Sequence, residues 1–400
     1  MRNVLYVHYG DSWMRGSEIC LLNLMQSLKD SEYCPILWTN NSELHYAAQQ
    51  LSICSHLSEF GVLLGWQGQR ASLAQYVYQV KRAKELIKQH DIRLIHANSG
   101  APCQWMWRAA RDCGVAMLTQ LHSDYNLRDR LRLCLHLSPH IVAVSQAVSN
   151  KMLGEGYPKE RLSVIHNGID IPALEAHAPQ LVRSRLGLPI ESKIIASVGS
   201  LIPRKGMDRI IQVVASLADS HPDIHLVIIG DGPEHTALLQ LAQRLDVTDK
   251  VHFIGEQHNV CGWLRGGVDL FVSGAREEAF GLVIAEAAVS GVPIVAPSVG
   301  GIPEVVEHQQ SSLLYDSNKP QQMAEHIVTL LDDMALANKL ACNAKQRAHT
   351  YFSLQTNTSR VIELYNQLIE AYGKQAELPQ LRSGLRPLRS LSHAHLMPKA

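Results

Sequence analysis

The 400 residues carry 46% hydrophobic and 18% charged side chains, the balance of a globular chain long enough for two or three cores and unlike a disordered or fibrous one. Lys+Arg and Asp+Glu are equal at 37 each, which argues against a nucleic-acid partner, because phosphate-backbone affinity needs net positive charge. The zero is nevertheless uneven: residues 1–170 hold 17 basic and 14 acidic groups, 171–373 hold 15 and 22, and 374–400 hold 5 and 1.

Short β-branched runs alternate with helical patterns along the chain, which predicts parallel sheets built from βαβ units. In the first half the expected strands are 4–9, 35–39, 94–98, 116–121, 141–145 and 163–166. Between the first strand and a helix at 18–29 lies the loop YGDSWMRGSE, whose Gly10 and Gly16 offer close backbone approach to a ligand. A second helix is expected at 71–89. His122 ends an apolar run at the rim where open α/β sheets bind ligands, and His8, His96 and His166 sit near strand ends as weaker candidates. The stretches QWMWRAAR (104–111) and LRDRLRLCLHL (127–137) set Trp105, Trp107 and several arginines beside apolar residues, a combination suited either to ordinary amphipathic helices or to an anionic membrane surface.

Gly168, Pro172, Pro179, Gly187 and Pro189 place a linker at 171–192. The strand pattern restarts at 194–200 and continues at 225–232, 251–256, 269–274 and 293–301. Residues 197–209, SVGSLIPRKGMDR, run from a strand through a glycine turn into a helix opened by Arg204 and Lys205. Two cations there add to the positive end of the helix dipole, so an anion such as a diphosphate fits them. The densest signal is 273–306, SGAREEAFGLVIAEAAVSGVPIVAPSVGGIPEVV, in which Glu278 precedes an expected helix at 280–290 and Glu286 lies inside it. An isolated glutamate pair is ordinarily solvated, but Glu286 sits within an apolar helix. The free N–H groups of that helix's first turn favour a phosphate. Residues 321–372 read as two or three helices, and the tail from Leu378, with three prolines and four basic residues, reads as poorly ordered.

No P-loop or dinucleotide fingerprint is present, and Asp-x-Asp is absent. Eight cysteines without a CxxC pair fit a reduced, cytoplasmic compartment. Neither a signal peptide nor a membrane span is recognisable in the chain.

With these residues on the page, the chain resembles the retaining GT-B glycosyltransferases of the group-1, or family-4, type. The resemblance is carried by SVGSLIPRKGMD, VIIGDGPE, VHFIGE, the Glu278-x7-Glu286 segment, VIHNGID (164–170) and RGSEICLLNLMQSL. It implies an α/β GT-B fold with two doubly wound Rossmann-like domains facing each other across a cleft. Residues 1–170 would form the acceptor-side domain and 193–355 the nucleotide-sugar domain. A helix at 356–373 would pack back on the first domain, ahead of a basic tail at 374–400.

The implied activity is transfer of a sugar from a nucleoside diphosphate to a hydroxyl of a glycan or lipid-linked acceptor, with no metal and no cofactor. In that family pattern Glu286 binds the ribose and Glu278 the donor sugar. Phe280, Gly281 and Leu282 support sugar and phosphate through their backbone, Arg204 and Lys205 hold the diphosphate, and His122 lies beside the anomeric centre. Gly16 matches one glycine of the family's usual pair. The pattern is departed from at Arg15, Ser200 and Gly274-Ala275. A nucleotide-sugar epimerase of the same fold and a catalytically silent sugar-nucleotide-binding subunit remain as alternatives. The location expected is cytoplasmic, with peripheral attachment to an anionic inner membrane face.

Overall fold

A computed structural model describes residues 1–64 and 70–376. The apolar runs form strands buried on both faces, as parallel strands covered by helices require. They assemble two separate sheets, each within its own compact unit of the described residues: 1–168 with 354–376, and 169–353.

The first sheet contains β1 (Arg2–His8), β2 (Tyr33–Thr39), β3 (Cys54–Leu57), β6 (Ile92–Asn98), β7 (Ala116–Leu121), β8 (Ile141–Ala143) and β9 (Leu162–Val164); the two-residue strands β4 (Val62–Leu63) and β5 (Arg70–Ala71) pair apart from it. Its order is β3-β2-β1-β6-β7-β8-β9, and every pairing is parallel. The chain therefore reverses direction of travel between β1 and β6. β3 was not expected from the sequence, because CSHL is polar and lies on the sheet edge with only partial burial.

The second sheet contains β10 (Lys193–Val198), β11 (Ile224–Ile229), β12 (Val251–Phe253), β13 (Leu270–Val272), β14 (Ile294–Pro297) and β15 (Leu313–Tyr315), in the order β12-β11-β10-β13-β14-β15. Counted within this unit, the order is 3-2-1-4-5-6, the doubly wound Rossmann arrangement, with its switch point between β10 and β13. β15 also escapes the sequence pattern, since three residues are too few to show a period.

Each unit has its own apolar core. Val4, Tyr6, Leu37, Leu94 and Leu118 pack with Val361 and Leu364 in the first, and Ile195, Ile210, Leu226, Val272 and Ile327 pack in the second. The helix Leu354–Ala376 belongs to the first unit, where Tyr365 Oη lies 2.8 Å from Tyr6 Oη and 2.6 Å from His96 Nδ1. Those partners account for His96 as a core residue, and burial pushes its imidazole down to about 3.

Residues 171–192 are not a free linker. They form the helices Ile171–Ala176 and Val182–Leu186 in the second unit, where Arg183 donates to the carbonyls of Ser192 and Gly267 and to Asp269. Prolines at a helix start are compatible with this, because the first N–H has no intrahelical acceptor anyway. The basic tail from residue 377 lies outside the described residues. No helix among the described residues is long and apolar enough to cross a membrane.

Candidate functional site

Both sheets place chemistry at their switch points, where the loops leave the carboxyl ends of the strands. In the second unit the loop after β10 turns through Pro203–Lys205 and Gly206 into the helix Met207–Leu217. The loop after β13 runs beside it. A Cβ on Gly206 would lie 1.9 Å from the Gly274 carbonyl oxygen, and one on Gly274 would lie 2.2 Å from that of Gly206. The two glycines are thus a matched pair that lets the loops touch, which gives Gly274 a structural reason.

That contact delivers Lys205 to Glu278: Nζ donates to Oε2 at 2.5 Å, with the two side chains 14% and 12% exposed. One of the three ammonium N–H donors is used by Glu278, and two remain for an anion. Arg204 is exposed, and no side-chain bond holds it among the described residues. Arg276 is committed elsewhere, with a two-pronged ion pair to Asp208 at 2.8 and 2.6 Å and a further bond to the Pro203 carbonyl.

Glu278 is fixed from its backbone side. A Cβ on Gly300, whose φ is +53°, would come within 1.7 Å of the Glu278 carbonyl oxygen, and Gly301 N donates to that oxygen at 2.9 Å. The expected helix at 280–290 is shorter than the sequence implies. It spans Leu282–Val289 and is entered through Gly281 at φ +108°, so Glu278 and Glu286 do not share one continuous helical face. Phe280 is buried against Phe352, their ring centroids 5.5 Å apart, so its ring is committed to the core. Glu286 is half-buried, and desolvation pushes its carboxyl up to about 7 despite the opposing charge of Lys205.

In the first unit, β1, β6 and β7 bring His8, Asn98 and His122 together. Asn98 Oδ1 lies 2.8 Å from His122 Nε2, and Asn98 Nδ2 lies 3.1 Å from His8 Nδ1. An amide oxygen only accepts, so His122 carries its proton on Nε2 and keeps its basic lone pair on Nδ1. Burial pushes the His122 imidazole down to about 4, with His8 lowering it further and the charge of Glu18 opposing. His8 Nε2 lies 3.0 Å from Glu18 Oε1.

Glu18 also caps its own helix, accepting from Arg15 N at 3.1 Å and Ser17 Oγ at 2.9 Å. Burial works to raise this carboxyl, but the hydrogen bond and charge of His8, together with these local donors, bring it down to about 2. Gly16 opens that helix, Gly16–Ser27. Gly10 approaches protein rather than open space, since a Cβ there would lie 2.8 Å from His8 Nε2.

Glu18 and Asn98 do not stand out in the sequence. The available signal was an acidic residue in the first turn of a helix for the first and the end of a buried strand for the second. His122 also lines a small pocket with Cys20, Gln120, Asn167 and Asn357.

The aromatic and basic patch expected at 104–111 and 127–137 is largely dismantled. Trp105 is fully buried, 5.2 Å from the Phe60 ring, and Arg130 is buried and ion-paired with Glu155. Arg108 pairs with Asp112 at 3.0 Å. What stays exposed on the helix Leu127–Arg132 is Leu127, Arg128 and Leu131.

Two family models match the chain: glycosyltransferase family 4 over residues 14–172, and glycosyl transferases group 1 over residues 180–347. An N-acetyl-alpha-D-glucosaminyl L-malate synthase from Bacillus anthracis is 25% identical over 296 residues, covering 71% of this chain and 77% of that one. A lipopolysaccharide core biosynthesis glycosyltransferase, LpsD of Rhizobium meliloti, is 30% identical over 190 residues, 48% of this chain; the match spans only about half of that relative's length, 54%. Among solved structures, Anabaena Alr3699/HepE in complex with UDP and glucose superposes with a TM-score of 0.77 at 24% identity, covering 91% of this chain and 99% of that one.

Proposed function

Because the chain belongs to the group-1 glycosyl transferases and has the GT-B fold, we propose that it is a retaining hexosyltransferase that takes its sugar from a nucleoside diphosphate without a metal. The observation that carries this reading is the convergence of Lys205, Glu278 and the start of the helix Leu282–Val289 at the switch point of the second sheet.

Lys205 and Arg204 hold the diphosphate, together with the free backbone N–H groups at Gly281 and Leu282. Glu286 accepts from the ribose hydroxyls, which favours its ionised form, and Glu278 accepts from a sugar hydroxyl while keeping Lys205 in position. The first unit contributes His122, neutral at physiological pH and stiffened by Asn98. Gly16, at the start of the helix Gly16–Ser27 of the same unit, is the family-type donor-binding glycine.

In the reaction the bond between the anomeric carbon and the phosphate oxygen breaks, and the acceptor oxygen bonds to the same face of that carbon. The acceptor's proton passes to the departing phosphate. Negative charge grows on the diphosphate as the bond breaks, and preorganised Lys205, Arg204 and helix amides stabilise it there. They supply the neutralisation that a divalent ion would otherwise provide.

A UDP-linked sugar is the first donor to test, given the UDP and glucose in the Anabaena structure. A glycan or lipid-linked acceptor is favoured by the lipopolysaccharide-core relative. Attachment to an anionic cytoplasmic membrane face is assigned to the narrower surface of Leu127, Arg128 and Leu131. Salt-sensitive co-sedimentation with anionic vesicles, lost in the Leu127→Ser/Leu131→Ser variant, tests it.

For the reaction itself, purified protein is screened for thermal stabilisation by UDP-, GDP- and ADP-sugars. Nucleoside diphosphate release is then measured with and without acceptor, and the product's anomeric configuration is read by NMR. Retention, acceptor-dependent release and resistance to EDTA are expected. Acceptor-independent isomerisation would identify an epimerase, binding without turnover a silent subunit, and abolition by EDTA alone would remove the metal-free account.

A further inference from the structure

A second cluster of chemistry lies in the first unit, away from the residues discussed so far. Edge strand β3 carries Cys54 and His56 two residues apart, so both side chains leave the same face of the strand. The helix Leu73–Gln89 ends at His90, which comes to the same place. His56 Nε2 lies 2.9 Å from His90 Nε2 and 3.8 Å from Cys54 Sγ, and the three donor atoms all lie within 4.8 Å of one another.

We propose that Cys54, His56 and His90 bind a zinc-type divalent ion, with water as the fourth ligand. The separations lie within a few tenths of an ångström of those the ion demands. Tetrahedral zinc with Zn–N of about 2.05 Å and Zn–S of about 2.3 Å sets its nitrogens about 3.3 Å apart and nitrogen and sulfur about 3.6 Å apart. Both observed separations reach these values through rotamer adjustments of a few tenths of an ångström.

One thiolate and two imidazoles form a borderline-soft donor set that selects zinc over magnesium or calcium, which take oxygen ligands. Cys54 is exposed and the two histidines are partly buried, which leaves an entry path and room for the water. The His90 carbonyl accepts from Asn3 Nδ2 at 2.5 Å, which ties the end of the helix to the start of β1. The ion would therefore clamp an otherwise polar edge strand to a helix terminus, a stabilising role separate from glycosyl transfer.

The test is titration of the full, EDTA-stripped chain with Zn2+ by calorimetry, with Co2+ as a spectroscopic probe. One ion per chain, a rise in melting temperature and a thiolate-to-cobalt charge-transfer band are expected. Cys54→Ser, His56→Ala and His90→Ala should each weaken binding by about tenfold or more, and Cys342→Ser should leave it unchanged. Sugar-transfer activity of the stripped protein should stay within about twofold of that of the zinc-loaded protein. Absence of the charge-transfer band in the unmodified chain, or zinc affinity that survives these three substitutions, overturns the proposal. The cobalt spectrum of the unmodified chain is decisive even where a variant fails to fold.

Discussion

Replacing Glu286 with Gln should stabilise the second unit in alkaline solution while weakening donor binding. Desolvation moves this carboxyl from 4.5 to about 7, so in the fully ionised state it costs ~3.4 kcal/mol relative to the unfolded chain. The side chain is only half-buried, and solvent screening brings the expected cost to ~2 kcal/mol. The folded-state pKa is raised, so the protonated form carries the stability. It is fully present below pH 4.5 and is lost as pH rises through 7.

Glutamine keeps the shape and has no proton to lose. In thermal melts from pH 5 to 8.5, the variant should gain little at the acid end. It should gain ~2 kcal/mol at pH 8.5, which for a unit of this size is a melting shift of ~4–8 °C. Donor affinity, measured in parallel, should fall, because a neutral amide cannot accept from two ribose hydroxyls as a carboxylate does. A stability difference independent of pH, or a variant less stable than the parent at pH 8.5, would refute the assigned burial cost.

Lys205→Ala leaves Glu278 nearly buried without its partner, so turnover should fall ~10²-fold or more and unfolding free energy by ~1–3 kcal/mol; steady-state kinetics with urea melts check both. Gly300→Ala sets a methyl 1.7 Å from the Glu278 carbonyl, and it should cost ~2–4 kcal/mol and displace Glu278, so near-normal activity would contradict the assigned support. Asn98→Ala frees the His122 ring and should lower kcat more than it raises KM. The parent's depressed imidazole contributes stability above pH 6.5 that is lost as pH falls toward 4, so His122→Ala should flatten that part of the stability profile.

Much of the fold was legible because strands buried on both faces must be almost wholly apolar, and the helices between them must be amphipathic. That is why KIIASV and IHLVII stand out, and why polar CSHL and three-residue LLY do not. The basic and acidic residues of the second unit were legible through their local register with a strand end and a helix start. Trp105 misled: an aromatic among arginines reads the same whether it faces lipid or Phe60.

By itself the sequence determined the family, the two successive α/β units and which side chains have the chemistry for a diphosphate and a sugar, since propensity, patterning and motif register are local. Only the tertiary structure decided partnership. Lys205 meets Glu278 across 73 residues, and Asn98 meets His122 across 24. The Gly300 approach that holds Glu278 exists only once β13 and β14 lie side by side. A side chain's donors and acceptors are set by its own atoms, but what satisfies them and how far burial shifts a proton depend on which distant segments the packed core brings against it.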